Sequence, residues 1–597
     1  MIKDYLLIGD LHSAALVSKR GAIDWLCLPH FDSPSIFAKM LDQEGGSFEV
    51  DTKGFQTKSY YINDTAIVET VLLNADTEVS LKDFMVPQPK YPCREHYLVR
   101  KVTGIKGNAD LTFHFAPRPD YATSVPELRY DPASQAIDVP LADAATLRLY
   151  LPEAAQVTIR GGLATIVIPV QEGMLSEMRL EYVRADTYEA TTFTGGLEDH
   201  TTRFWEKWLS QGSFFPFCAD ILKRSAITLK LLQFYPTGAL VAAPTTSLPE
   251  ELGGTRNWDY RYVWIRDATF SLYAFHILGF HEEAEKFFAF LQTIAEHSAE
   301  KDFAVSLMYT IEGKPVPQER VLKHMSGYEG SQPVRVGNNA TKQFQLDVYG
   351  ALIDAHYFAA KREIHNLAIE KALILDLVKQ IELHWQRKDR GIWEVRTGDQ
   401  HFTYSKVMAW VGVNRALRLA ERLKMTKEEI AWCHTLEKEI KDWIWEHCYD
   451  EHREEFKQYP EAKHQDATNF LFVLLQFLDR HDPRTKRIIE HTHAQLAYKS
   501  VFIYRYLNAD GSARGEGAFL LCTFWYIAAL AIVEETKEAH DLLHTFLTYI
   551  EGHGLLSEEM NGETGEYLGN YPQAFSHLGL IMAAYYIQRY GEDHIHE

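Results

Sequence analysis

In the first third of the chain, apolar and β-branched residues alternate with polar ones over Ala66–Leu73, Tyr97–Val102, Asp110–Phe115 and Met178–Val183, with turn residues between them. Shorter runs of the same kind, Leu147–Leu151 and Ala164–Ile168, lie within 142–170. A period of two predicts strands, and many short strands with turns between them predict an antiparallel β-sandwich over residues 1–197. Around Glu198–Leu209 the pattern turns helical, so 198–217 reads as a helical linker.

From Cys218 onward the period is 3.6, and 218–597 is the second expected domain. Helices are predicted over about 218–235, 266–279, 281–297, 343–361, 366–387, 404–422, 426–446, 466–478, 483–497, 517–534, 537–551 and 571–590. The fifth carries Ile374, Val378, Ile381 and Trp385 as one apolar stripe. The last starts after Asn570, a candidate cap, with Pro572 in its first turn. Its Leu578–Ala584 run has almost no polar face, so it should be buried on every side.

The connections separate into two classes. Links from even to odd helices are roughly one to five residues, whereas links from odd to even helices run from about 16 to about 45. Helices running up and down place all the long links at one end. An (α/α)6 barrel of six helical hairpins, with its site at the long-loop end, has this pattern; a solenoid would share the asymmetry. No fixed-period self-similarity marks a repeat scaffold.

Composition narrows the function classes. The 597 residues exceed one hydrophobic core, which agrees with two large domains. A net charge of −21 opposes nucleic acid and anionic membrane surfaces and tolerates neutral substrates. Cys27, Cys93, Cys218, Cys433, Cys448 and Cys522 form no CxxC and no zinc-like spacing with His. The opening MIKDYLLIGD has no signal-peptide pattern, and no apolar run is long enough to span a membrane. A cytoplasmic protein with reduced thiols is expected, with no metal, no cofactor and no nucleic-acid or membrane partner. Homo-oligomer formation stays open.

Four of the long loops carry chemistry. The first holds Arg256-Asn257-Trp258-Asp259-Tyr260 and then Trp264-Ile265-Arg266-Asp267. Adjacent Arg and Asp can grip neighbouring hydroxyls, since Arg only donates and an ionised Asp only accepts; the bland alternative is a capping Asp beside a surface Arg. The third holds Gly391-Ile392-Trp393-Glu394-Val395-Arg396, where Trp393 could desolvate Glu394 and raise its pKa, as a general acid requires. The fifth brings Tyr504-Arg505-Tyr506 and Glu516, and the sixth Ser557-Glu558-Glu559. Any one glutamate reads more simply as a helix cap. Together they bring carboxylates, arginines and aromatics to one end, as glycoside hydrolysis needs: two carboxyls, one protonated and one ionised. HExxH, DDxxD, GxSxG and phosphate-cradling Gly-rich patterns are absent.

The sequence resembles glycoside hydrolase family 15, which includes glucoamylases and trehalases. The resemblance begins at IGDLHSAALVSKRGAIDWLCLPHFDSPSIFAKML and continues through YVWIRDA, SGYEGSQPVRVGN, GIWEVR, HFTYSKVMAW, EGAFLLCTFW and LGNYPQAFSHLGL, so it covers essentially the whole chain. It implies a β-sandwich followed by an (α/α)6 barrel, and hydrolysis with inversion. The family's general acid lies in a Trp-Glu pair, matched by Trp393-Glu394. Its general base is matched by Glu558, its sugar-anchoring Arg-Asp by Arg266-Asp267 preceded by Trp264, and a further substrate-binding arginine by Arg505. Fungal glucoamylases carry a second acid where Val395 stands, so their leaving-group contacts are not transferred. The segment Asn339–Gln343 matches less well and receives no role.

The expected reaction is release of glucose from a small α-glucoside, with trehalose first. An exo-acting glucan α-glucosidase is the alternative, and a phosphorylase or a non-catalytic carbohydrate-binding protein are further ones. Glu394 is expected to be partly desolvated, Glu558 to sit in a wetter setting, and Glu559 to point elsewhere. Glu516 is the competing carboxylate. The Asp24–Pro34 segment, rich in Trp, Pro and His, should either border the sugar site or serve as sandwich core.

Overall fold

The computed structural model describes residues 1–90, 95–142, 144–184, 196–299, 305–362, 371–395, 398–499, 501–507, 516–550 and 552–591. Cys93, Arg396 and the expected start of the fifth helix lie outside these. Two eight-stranded antiparallel sheets make the amino-terminal third. The first runs Tyr5–Gly9, Ala14–Ser18, Ile23–Cys27, Ser47–Val50, Ala109–Ala116, Leu163–Val170 and Gln156–Arg160, with Ser35–Phe37 beside Ile23–Cys27. The second runs Arg129–Asp131, Ala136–Pro140, Ala145–Tyr150, Leu175–Arg184, Glu95–Lys106, Glu78–Met85, Val68–Leu73 and Gln56–Tyr61. Alternation does its ordinary work: in Leu163–Val170 every second residue, Ala164, Ile166, Ile168 and Val170, points into the sandwich core.

The first three strands break that alternation. In Ile23–Cys27 every residue is buried. Ile8, Ala15, Val17 and Leu26 face the sandwich core, while Leu7, Leu16, Trp25 and Cys27 belong to the core of the helical half. One sheet therefore has apolar material on both faces, which no period-two pattern announces.

The helices close into an (α/α)6 barrel. They are α1 (Ala219–Leu232), α2 (Ala268–Ile277), α3 (His281–Ala299), α4 (Asp347–Lys361), α5 (Lys371–His384), α6 (Thr403–Arg418), α7 (Lys427–Cys448), α8 (Leu471–Leu474), α9 (Pro483–Leu496), α10 (Leu520–Ile532), α11 (Thr536–Leu547) and α12 (Ala574–Gly591). Even-numbered helices form the inner ring: α2 packs on α4, α4 on α6, α8 on α10, α10 on α12, and α12 back on α2. Trp410 of α6, edge-on to Phe477, and Arg415, donating to the Leu475 carbonyl at 2.8 Å, join α6 to the turn that follows α8. All thirteen residues of α10 are buried, as an inner helix requires. Outer α7 buries only Cys433, Leu436, Ile440, Ile444 and Cys448, a single stripe, and starts with a Thr426/Glu429 capping box. Helix α8 is shorter than the expected 466–478. Asp466 caps a 3-10 turn, Ala467–Phe470, and the Asn469 side chain turns away to the Phe456 carbonyl.

Described residues of the links ahead of the inner helices, among them Tyr260, Asn338, Glu394, Arg505 and Glu558, meet at one end of the ring. The seam with the sandwich lies under the 233–267 segment. Trp25 Nε1 donates to the Pro244 carbonyl (2.8 Å), Arg261 Nη1 to the Ser33 carbonyl (2.9 Å), and the Tyr571 hydroxyl to the Tyr5 carbonyl (2.8 Å). Among the described residues, no helix is long and apolar enough to cross a membrane, and Cys27, Cys218, Cys433, Cys448 and Cys522 are buried free thiols.

Candidate active site

One cavity of about 250 Å³ opens at the amino-terminal end of the inner ring. Trp264, Arg266, Asp267, Trp393, Glu394, Arg505 and Glu558, the residues matched to catalytic and sugar-binding roles above, line it together. Arg266 and Asp267 line it immediately before α2. Arg266 Nη1 donates to the Ile392 carbonyl at 2.9 Å, and its Nε lies 3.4 Å from Asp267 Oδ1. Arg266 Nε and Asp267 Oδ1 are both buried and face each other as an ion pair, which holds the two side chains in one orientation at the cavity. Burial, with the Glu394 charge nearby, pushes the Asp267 carboxyl up to about 7 against the pull of Arg266.

Glu394 sits at φ +55°, in the left-handed region that costs a non-glycine residue about 1–2 kcal/mol. The loop holds it there: Glu394 N donates to the Gly391 carbonyl and Val395 N to the Arg390 carbonyl, both at 3.1 Å. Its Oε1 accepts from Trp264 Nε1 at 2.8 Å and lies 3.8 Å from Arg266 Nη2. Trp393 points elsewhere, donating to Asp466 Oδ2 at 3.1 Å, so it anchors the loop while Trp264 orients the carboxylate.

Glu558 is the more deeply buried of the two. It is 2% exposed, against 24% for the Glu394 side chain, which reverses the wetter setting expected from Ser557 and Glu559. Its Oε1 accepts from the Tyr260 hydroxyl at 2.6 Å, and its Oε2 has no hydrogen-bond partner among the described residues. The Tyr260 and Trp264 rings stand edge to face at 5.3 Å, so two neighbouring aromatics of one loop each hold one carboxylate. Burial, then the charge of Glu250, raises the Glu558 carboxyl to about 8, opposed by the Tyr260 hydrogen bond, Arg505 and Arg256.

Gly569 fixes the other side of Glu558. It has φ +74°, and a Cβ there would come within 2.4 Å of Glu558 Oε2 and 2.7 Å of Glu558 Cβ. Gly569→Ala should therefore displace the carboxylate and lower kcat roughly 10²-fold. Gly565→Ala is the control. Gly565 has φ +69° with nothing within 4 Å of its would-be Cβ, so it adds the same backbone strain without the displacement. Equal kcat for the two variants would dissolve the argument.

Arg505 is the hub of a charge cluster. Its Nη2 donates to Glu250 Oε2 (2.5 Å) and Glu516 Oε2 (2.7 Å) and lies 3.3 Å from Glu559 Oε1. Glu559 thus points away from Glu558, as adjacent residues should, but into this cluster. Glu516 pairs with arginines rather than taking the place of either cavity glutamate. The carboxylates of Glu250, Glu516 and Glu559 lie within 4.8 Å of one another, close enough for a cation, yet Arg505 already supplies positive charge there.

Tyr260, Arg256 and Trp258 also line the cavity. They stand in the Arg256–Tyr260 stretch without an assigned role, although an aromatic-rich block ahead of the Arg-Asp pair was a usable signal. Glu250 carries no local signal at all. All the lining residues lie between Ala242 and Phe575. The Asp24–Pro34 segment instead braces the loop that bears Tyr260 and Trp264, through Trp25 and the Ser33 carbonyl.

The model for Glycosyl hydrolases family 15 matches residues 217–585, and the model for Trehalase-like, N-terminal matches residues 1–144. The trehalase of Mycobacterium tuberculosis (strain ATCC 25618 / H37Rv) is 34% identical, over 99% of this chain and 90% of its own length. That of Thermoplasma volcanium is 32% identical, over 97% of this chain and 92% of its own length. Among solved structures, a bacterial glucoamylase complexed with acarbose superposes with a TM-score of 0.73 at 14% identity, covering 98% of this chain and 94% of that one. This last likeness concerns the fold.

Proposed function

This chain belongs to glycosyl hydrolases family 15 and is an O-glycoside hydrolase, and from that premise we propose that it hydrolyses trehalose with inversion. The substrate follows the relatives, which match it nearly end to end and are trehalases. The mechanism rests on one observation: two carboxylates from different loops enter a single cavity, each fixed by a hydrogen bond from a neighbouring aromatic.

Arg266 and Asp267 hold the glucose whose C1 is attacked. Glu394 gives its proton to the bridging oxygen, and Glu558 takes a proton from the water that attacks C1 on the opposite face. The C1–O bond breaks as the new one forms. Tyr260, donating to Glu558 Oε1, stabilises the ionised form that takes this proton. The burial of Glu558 favours a second reading, in which it is the acid and Glu394 the base, because a buried carboxyl keeps its proton more readily.

Glucose release should be measured from trehalose, maltose, isomaltose and dextrin side by side, with trehalose expected to dominate. Proton NMR of the first turnovers reads the stereochemistry. Inversion gives one β-glucose from the attacked ring and one α-glucose as leaving group. Two α-glucoses would mean retention and would contradict the mechanism.

A further inference from the structure

Another cavity, larger than the first at about 520 Å³, opens at the other end of the inner ring. Every inner helix reaches it with a residue of its later half: Tyr273, Phe358, Arg415, Leu474, Ile532 and Tyr586. It shares no described lining residue with the active cavity. Six of its described lining residues are Lys or Arg and one, Asp479, is acidic, although the chain holds 61 Lys and Arg against 82 Asp and Glu. The cations gather on two rings. Lys361 Nζ and the guanidinium carbons of Arg415 and Arg418 stand 5.9, 5.3 and 6.0 Å from the centre of Tyr357. The guanidinium carbons of Arg480 and Arg589 stand 4.9 and 5.7 Å from the centre of Tyr590. Asp354 pairs with Arg415 at 2.7 Å, and Glu534 lies 3.8 Å from Arg480. Lys361, Arg362, Lys441 and Arg589 have no carboxylate partner among the described residues. Partial negative charge at helix carboxy termini accounts for Lys361, Arg362 and Arg589. It does not account for Lys441, inside outer helix α7, or for Arg480, in the turn after α8.

We propose that this far mouth of the barrel binds an anion carrying two or more phosphoryl groups. Like charges drawn together without counter-ions repel, and a multiply charged anion between them removes that repulsion. A phosphoryl group brings up to two charges and three acceptor oxygens, which the planar forks of Arg480 and Arg589 can meet in pairs. Two cation groups, on Tyr357 and on Tyr590, call for charge at two places in the ligand. The volume falls in the range of roughly 300–1,000 Å³ that holds whole small molecules. The tyrosine rings offer flat apolar faces to any organic part. A chain of net charge −21 repels a long nucleic acid, so a small ligand confined to the mouth is the occupant.

The test is titration calorimetry of the whole chain with ADP, pyrophosphate, inorganic phosphate and adenosine. It is run in EDTA, with the active cavity filled by an iminosugar. At least one of the two diphosphates should bind, about tenfold or more tighter than inorganic phosphate, and weaken as salt rises. Adenosine alone should not bind. ADP binding tighter than pyrophosphate identifies an organic ligand, and equal affinities identify an inorganic one; either result supports the site. Lys361 and Arg589 are exposed and in no ion pair with a described residue, so changing them breaks none of these pairs. Lys361→Gln with Arg589→Gln should weaken binding about tenfold or more and leave kcat/KM for glucose release within about twofold. Lys361→Glu with Arg589→Glu should abolish binding at an unchanged melting temperature. Failure of both diphosphates to bind, inorganic phosphate binding as tightly as pyrophosphate, displacement by the iminosugar, or unchanged affinity in the double variants would each overturn the proposal.

Discussion

Glu394→Gln should lower kcat on trehalose roughly 10²–10⁴-fold while keeping most of the activity on α-glucosyl fluoride. A sugar oxygen leaves poorly without a proton, whereas fluoride departs as a stable anion. The substitution is close to isosteric, and the amide oxygen can still accept the hydrogen bond that Trp264 Nε1 gives to Glu394. The loop geometry at φ +55° is indifferent to the change, so the loss measures proton donation and not collapse of the site. Comparable losses on both substrates would remove Glu394 from the acid role.

Glu558→Ala should lose both activities by a similar factor, roughly 10²–10⁴-fold, and regain turnover with azide. The small anion enters the space left by the carboxylate and attacks C1 from that side. The C1–N bond forms, the C1–O bond breaks, and Glu394 passes its proton to the departing glucose, giving β-glucosyl azide and glucose. Rescue of Glu394→Ala, and not of Glu558→Ala, would exchange the two roles and vindicate the reading that burial favours. The pH profile gives an independent check. A base acts only when ionised, and burial together with Glu250 sets the Glu558 ionisation at about 8. The limb of the kcat/KM profile that reports this group should move to lower pH in Glu250→Gln, because a negative neighbour is removed while Arg256 and Arg505 remain. A profile indifferent to Glu250 would contradict the electrostatic account.

The helical half was written plainly in the chain. Outer helices such as α7 show a 3.6-residue apolar stripe, inner ones such as α10 are apolar all round, and the contrast between short and long links gives the end at which the loops collect. The interior strands of the sandwich were equally legible where one face is wet, as in Leu163–Val170. The strands Tyr5–Gly9, Ala14–Ser18 and Ile23–Cys27 were not, because residues buried on both faces show no alternation. In the site, Arg266, Asp267, Trp393 and Glu394 stood out as members of the long-loop clusters and took their roles from the family resemblance. The relative burial of Glu394 and Glu558 could not, since the polarity of flanking residues says nothing about what packs over a loop from elsewhere. Tyr260, 298 positions before Glu558, supplies its hydrogen bond, and Glu250 raises its ionisation from a segment with no motif. Gly569 is similar: its need to be glycine arises only from Glu558 lying against it.

The sheet with apolar material on both sides has a consequence for how the molecule melts. Trp25, Leu16 and Leu7 complete the core of the barrel, while Leu26, Val17 and Ile8, their neighbours along the same strands, complete the core of the sandwich. Loss of either core exposes one face of a shared wall, so neither half has a stable native state of its own to fall back on. Heating should therefore give one calorimetric transition, with the catalytic loops and the distant Gln156–Arg160 edge strand losing amide protection together. A chain cut at 198–217 should yield two fragments that recover activity only when mixed.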